Sequence, residues 1–217
     1  GEDMRSKFDE QLALLNRDLT KMGSLCEEAL ALAAKALANA DGQTAAKIAP
    51  IDSEIDQMER TIESLCLKLL LQQQPVARDL RQISAALKMI TDMERIGDQA
   101  SDIAEIIGFL NGRIGTDAQY ICQMAVAAMR MVTESVEAYV KRDVAMAEAT
   151  IQHDDVVDDL FLKVKESLIQ MISENPKDGE YALDLLMIAK YFERIGDHAT
   201  NIAEWVVFSV TGVHEQG

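Results

Sequence analysis

The sequence is poor in residues that interrupt regular structure and in those that build sheets or disulfide frameworks. Only 3 of its 217 residues are proline and 11 are glycine. The 3 cysteines, Cys26, Cys66 and Cys122, lie far apart and form no C-x-x-C pair. That leaves neither a disulfide framework nor a zinc ribbon, and points to a reducing, cytosolic compartment. Aromatic residues make up 5% of the chain, and no stretch alternates cleanly between apolar and polar residues, which argues against a sheet. The best apolar run, 29–38, is interrupted by Lys35 and falls short of the roughly 20 residues of a bilayer span. The opening GEDMRSKFDE has no apolar core of a secretory leader, so a cytoplasmic protein without direct membrane insertion is expected. Basic residues are outnumbered 37 to 21, giving a net charge of −16, which repels a nucleic-acid backbone. The nucleotide loops G-x-x-x-x-G-K-[ST] and G-x-G-x-x-G, the zinc motif H-E-x-x-H and the nucleophile elbow G-x-S-x-G are missing.

What remains is a chain dominated by helix formers, and the expected fold class is all-α. Sparse turn signals at Asp41-Gly42, Pro75, Asn111-Gly112 with Gly115, Asp143, Asn175-Pro176 with Gly179, and Gly212 divide it into six long helices. The expected spans are 5–39, 44–73, 77–110, 117–141, 144–174 and 178–210, with Pro50 kinking the second helix or delaying its start. A search for repeats then sets the architecture. ERIGDQASDIAE at 94–105 recurs as ERIGDHATNIAE at 193–204, identical at nine of twelve positions. Earlier in each half an offset of 102 aligns Asp41 with Asp143, Asp52 with Asp154, Asp56 with Asp158 and Ile62 with Val164. We therefore expect two tandem three-helix bundles, residues 1–112 and 113–217.

Turning the third helix by about 100° per residue places Met89, Ile96, Ala100, Ile103 and Ile107 on one face, the expected core. Glu94, Asp98, Asp102 and Glu105 then form a row on the other side, an outward carboxylate stripe. The second helix repeats the device with Asp52, Asp56, Glu59 and Glu63, beside an apolar face of Ile55, Met58, Ile62 and Leu65. In the second half Asp154, Asp158, Glu193 and Asp197 match, and Asn201 replaces Asp102. Like charges four apart cost a helix about 0.2–0.5 kcal/mol per pair. Two such stripes brought together need cations between them, and all-oxygen sites suit hard divalent ions such as Mg²⁺ or Mn²⁺ and borderline Fe²⁺. The plain alternative is a solvated surface.

Gly97 and Gly196 interrupt the third and sixth helices immediately before an acid of the stripe, at a helix cost of about 1 kcal/mol each. Close approach of a second helix or a metal cluster explains them, as does ordinary tight packing. Arg95 and Arg194 fall off the stripe and are expected to pair with flanking acids or a partner protein. His198 and His153 read as surface residues with some capacity as nitrogen ligands, and His214 as part of a frayed tail. The Glu-x-x-His motif of ferritin-like enzymes is absent, since Thr150, Ile195 and Thr211 precede the histidines by three. The cysteines fit buried structural roles, and Met58, Met89, Met93 and Met187 fit core filling.

With these motifs in hand, Asp52-Ser-Glu-Ile-Asp56, Glu94-Arg-Ile-Gly-Asp98, Asp154-Asp-Val-Val-Asp158 and Glu193-Arg-Ile-Gly-Asp197, the chain resembles the PhoU family of phosphate-regulatory proteins over almost its full length. The stretch QQPVARDLR at 73–81 belongs to the same likeness. The resemblance implies a negative regulator of phosphate uptake and of the phosphate-starvation response, not an enzyme. It implies as partners the ATPase subunit of a phosphate ABC transporter and a membrane sensor histidine kinase, with peripheral placement at the inner face of the membrane through them, and a homodimer is expected. It also implies multivalent ions, iron, zinc, manganese or magnesium, on Asp52, Asp56, Glu94, Asp98, Asp102, Asp154, Asp158, Glu193 and Asp197. The Asn201 replacement suggests a smaller second cluster, and 72–81, with Arg78 and Arg81, is the expected partner contact. Two other readings stay open: a metal-dependent carboxylate-cluster enzyme and a metal-free helical adaptor.

Overall fold

A computed structural model describes residues 1–72, 75–113 and 116–214. The first long helix, α1 (Glu2–Asn39), ends in a left-handed residue, Ala40, at φ 53°. Asp41 then caps the next helix: its Oδ1 accepts from the Gln43 amide at 3.0 Å, and Thr44 Oγ1 donates to its Oδ2 at 2.6 Å. The second half repeats this turn. There α5 (Gln119–Lys141) ends in Arg142 at φ 55°, and Asp143 accepts from the Met146 amide at 3.0 Å.

Two of the six expected segments are divided. The second is split at Lys47 into α2 (Gly42–Ala46) and α3 (Ile48–Gln72), so that Pro50 falls in the first turn of α3, where its missing N–H costs nothing. The fifth is split at His153 into α6 (Val144–Gln152) and α7 (Asp154–Glu174), a break that no proline or glycine announces. The third and sixth segments are α4 (Ala77–Phe109) and α8 (Gly179–Thr211). Single 3₁₀ turns at Thr116–Ala118 and Pro176–Asp178 lead into α5 and α8, and there is no strand among the described residues. Gln73, the expected end of the second segment, and Gly115, an expected break, lie outside the described residues.

In each half the long helices enclose a shared apolar strip. Met89, Ile96, Ala100 and Ile103 are fully buried, as are Ile55, Ile62, Cys66 and Cys26. Met89 and Met93 fill the core as expected, whereas Met187 is 41% exposed, because its place on α8 faces away from the neighbouring helices. The buried residues of both halves form one continuous cluster. Two antiparallel seams join the halves. Along α1 and α5, Gly23 lies against Val136, and Thr133 Oγ1 donates to Glu27 Oε2 at 3.0 Å. Along α4 and α8, Arg81 lies against Gly212, Lys88 over the Trp205 ring, and Asp92 meets both His198 and Asn201. His214 is not frayed: its ring stacks on Trp205 at 3.9 Å between centroids.

Candidate metal centre

The acidic stripes are only partly turned to solvent: Asp52, Asp56, Glu94 and Asp102 are half-buried, whereas Glu63, Glu105, Asp158 and Asp197 are exposed. The face of α4 that carries Glu94, Asp98 and Asp102 borders α3, and the stripe of α3 meets it along a seam. A helical wheel gives a residue's direction on its own helix and is silent about which neighbour stands there. Gly97 sets the closeness of this seam. A Cβ at that position would lie 2.8 Å from Asp52 Oδ1 and 3.0 Å from Ile55 Cδ1, so the absent side chain leaves the room that the Asp52 carboxylate occupies. Close approach of α3 and tight helix packing are here the same contact, since Ile55 and Asp52 both press on this glycine.

Ligand atoms of Asp52, Asp56 and Asp98 converge within 4.8 Å of one another. Asp52 and Asp56 are half-buried, and Oδ1 of each is buried with no hydrogen-bond partner among the described residues. Such acceptors are ordinarily satisfied. Their environment disfavours charge. Burial, then the charges of Asp98 and Asp56, push the Asp52 carboxyl up to about 7. Burial, then a hydrogen bond with Asp98 that requires a proton between the two carboxyls, push Glu94 up to about 8. Burial chiefly, then neighbouring acids, also raise Asp102 and Glu59. Glu59 belongs to the α3 stripe but was not among the expected ligands; its position one turn after Asp56 was the available signal. The donor set is all oxygen and crowded, and it fits a hard divalent cation that would take the place of protons.

The second half builds a related but looser seam. Asp154 Oδ1 is again buried without a hydrogen-bond partner among the described residues, and it faces Gly196, where a Cβ would lie 3.4 Å away. Burial, then Asp158 and Asp197, push Asp154 up to about 6, and burial also heads the causes that raise Asp158 and Asp197. Here the chain brings its own cation: Lys190 Nζ pairs with Glu193 Oε1 at 2.5 Å, where the first seam has Thr91 in the matching place. His198 is committed elsewhere. Its Nδ1 lies 2.9 Å from Asp92 Oδ1, and Asn201 Nδ2 donates to the same oxygen at 3.3 Å. Asp92 was not among the sequence candidates, because its partners come from the other half of the chain. With Asp154, Asp197, Glu204, Trp205 and His214 it lines a cleft between the halves. Arg194 lies over the Tyr191 ring and beside Asp102, whose carboxyl it partly restrains from rising. His153 Nδ1 lies 3.7 Å from Glu134. Arg78 and Arg81 stand at the start of α4, about 20 Å along the helix from Glu94 by its rise per residue.

Comparison with known proteins gives a consistent family. The PhoU domain matches residues 19–107 and 121–206, one copy in each half. The phosphate-specific transport system accessory protein PhoU homolog of Clostridium acetobutylicum is 36% identical over 210 residues, 96% of either chain. The crystal structure of PhoU from Pseudomonas aeruginosa is 34% identical, with a TM-score of 0.90 over 95% of this chain and 100% of that one. The phosphate transport system regulatory protein PhoU from Streptococcus pneumoniae, at 26% identity, superposes with a TM-score of 0.86 over 96% and 99%. This duplicated helical chain belongs to the PhoU domain family.

Proposed function

We propose that the protein is an accessory regulator of phosphate uptake that holds the phosphate-starvation response down when phosphate is plentiful, and that its acidic seams bind multivalent metal ions. In this reading it is not an enzyme. It works in the cytoplasm, as a homodimer, at the inner face of the membrane through the ATPase subunit of a phosphate ABC transporter and a sensor histidine kinase. The regulatory part is supported by the relatives named for the phosphate-specific transport system. No helix of the described residues is long and apolar enough to cross a membrane, consistent with docking on membrane proteins.

The observation that carries the metal reading is the convergence of Asp52, Asp56 and Asp98 with two buried, partnerless carboxylate oxygens. Asp52, Asp56, Glu94 and Asp98 would hold an ion in the first seam, with Asp102 at its edge, and Asp154, Asp158, Glu193 and Asp197 in the second. A bound divalent ion supplies the positive charge that these carboxyls otherwise obtain from protons. The chain's residues do the rest. Asp52 and Asp56 move with α3, and Glu94 and Asp98 with α4, so the charge state of the set and the α3–α4 spacing are tied together. A partner that binds one spacing better than the other reads that state, which is all a switch requires.

The test has two parts. Protein purified without chelator should carry metal by elemental analysis, with Asp98→Ala losing the first-seam share and Asp197→Ala the second. Deleting the gene should raise phosphate uptake and starvation-gene output under replete phosphate. Output unchanged in both replete and starved cells overturns the regulatory assignment, and metal-free wild-type protein overturns the metal centre.

A further inference from the structure

A cluster of opposite sign sits at the start of α4. Arg78 and Arg81 are one turn apart on that helix, and Arg142, at the end of α5, reaches the same place, its Nη1 donating to Gln82 Oε1 at 3.5 Å. In a chain of net charge −16, three arginines converging on the first turns of α4, with the Arg81 side chain lying along Gly212 of α8, run against the overall balance. Their proximity registers in Arg142, whose proton affinity is lowered by burial first and then by Arg78 and Arg81.

The acid nearest to them is already engaged. Asp79 Oδ2 accepts from Arg5 Nη1 at 2.9 Å, with the Asp79 side chain only 6% exposed. The duplication identifies this pair as part of the scaffold, since the matching Asp178 at the start of α8 is held by Arg113 Nη2 at 2.8 Å. The three arginines are not part of it. At the positions matching Arg78, Arg81 and Arg142 the other half carries Lys177, Glu180 and Ala40. Ala40 adopts the same left-handed backbone as Arg142, φ 53° against 55°, so that turn does not require an arginine. Arg81 Nε is buried with no hydrogen-bond partner among the described residues, and Arg78, exposed, makes no ion pair among them.

A guanidinium offers five donors and no acceptor, and a buried donor left unpaired is costly. Three of them from different backbone positions offer N–H groups in several directions. A flat carboxylate uses few of these, whereas a tetrahedral oxyanion presents acceptors to all three, and a charge near −2 offsets most of theirs. We propose that Arg78, Arg81 and Arg142 form a binding site for a phosphoryl-type oxyanion, separate from the acidic seams. Elsewhere the net negative charge turns such anions away, which directs them to this end of the molecule. The site does not depend on the metal-dependent regulatory reading, and either can fail without the other.

The same chemistry is presented by free phosphate and by a phosphate monoester. Calorimetric titration of the full chain with inorganic phosphate and, separately, with phenyl phosphate, at constant ionic strength and with chelator present, distinguishes them. Saturable binding of either ligand, weakened at least about tenfold in both Arg142→Ala and Arg78→Ala, supports the site. Preference for inorganic phosphate marks a site closed around the free ion; equal binding of the ester marks one open to a phosphoryl group on a larger molecule. Circular-dichroism melting should leave both variants folded, because Ala40 already occupies the matching turn and Arg78 is exposed. No saturable heat from either ligand, or isotherms that neither variant alters, overturns the proposal.

Discussion

Gly97 and Gly196 occupy matching positions yet stand in different packing. At Gly97 a methyl group meets Asp52 Oδ1 at 2.8 Å and Ile55 Cδ1 at 3.0 Å; at Gly196 the nearest atoms are at 3.4 Å, ordinary contact. Asp52 can swing aside, but Ile55 is fully buried and cannot do so freely. For Gly97→Ala the overpacking outweighs the gain of about 1 kcal/mol in helix propensity, and a net loss of about 1 kcal/mol is expected. The displaced carboxylate should also abolish any metal-dependent rise in melting temperature from the first seam. Gly196→Ala should be neutral or stabilising by up to about 1 kcal/mol. Denaturant unfolding of the two variants, with and without Mn²⁺, checks both; equal behaviour of the pair contradicts the asymmetry. That both glycines lie beside the acidic stripes was legible from their place just before a stripe acid. Their difference was not, because it depends on a few tenths of an ångström in the helix opposite.

Among the helices, α4 and α8 form one of the two joins between the repeats, and a single carboxylate there serves two partners. Asp92→Ala removes the contacts to His198 and Asn201 together. The expected cost is about 1–3 kcal/mol in unfolding free energy, with the metal content of the first seam unchanged; a loss under about 0.5 kcal/mol contradicts the role. The helices themselves were largely readable: Asp41 and Asp143 as caps, the apolar period of α3, α4 and α8, and the duplication all stand in the sequence. The break at His153 was not, since its turn uses ordinary helical torsions and no residue type marks it. Nor was the meeting of the α3 and α4 stripes along one seam. Periodicity located the carboxylates on each helix, but the helix that covers them is a property of the assembled bundle, and so is the pairing of Asp92 across the halves.

Over the molecule as a whole, the acidic seams make stability depend on protons and cations in opposition. Folded, Asp52, Glu94 and Asp154 keep their protons up to about 7, 8 and 6. Unfolded carboxyls release theirs near about pH 4. Between these limits the folded state binds more protons, so the stabilisation is complete near about pH 4 and is lost as pH rises through about 6 to 8. Chelator-treated protein should therefore melt at progressively lower temperature from about pH 5 to about pH 8, and Mg²⁺ or Mn²⁺ should restore the loss most at the upper end. A melting temperature that rises over that range, or ignores the cations, contradicts the seams as described. Trp205, the chain's single tryptophan, lies in the cleft with Asp154 and Asp197 and stacks on His214. All indole emission from this protein thus originates beside the second seam, so the chain carries a built-in, label-free optical reporter for whatever enters there.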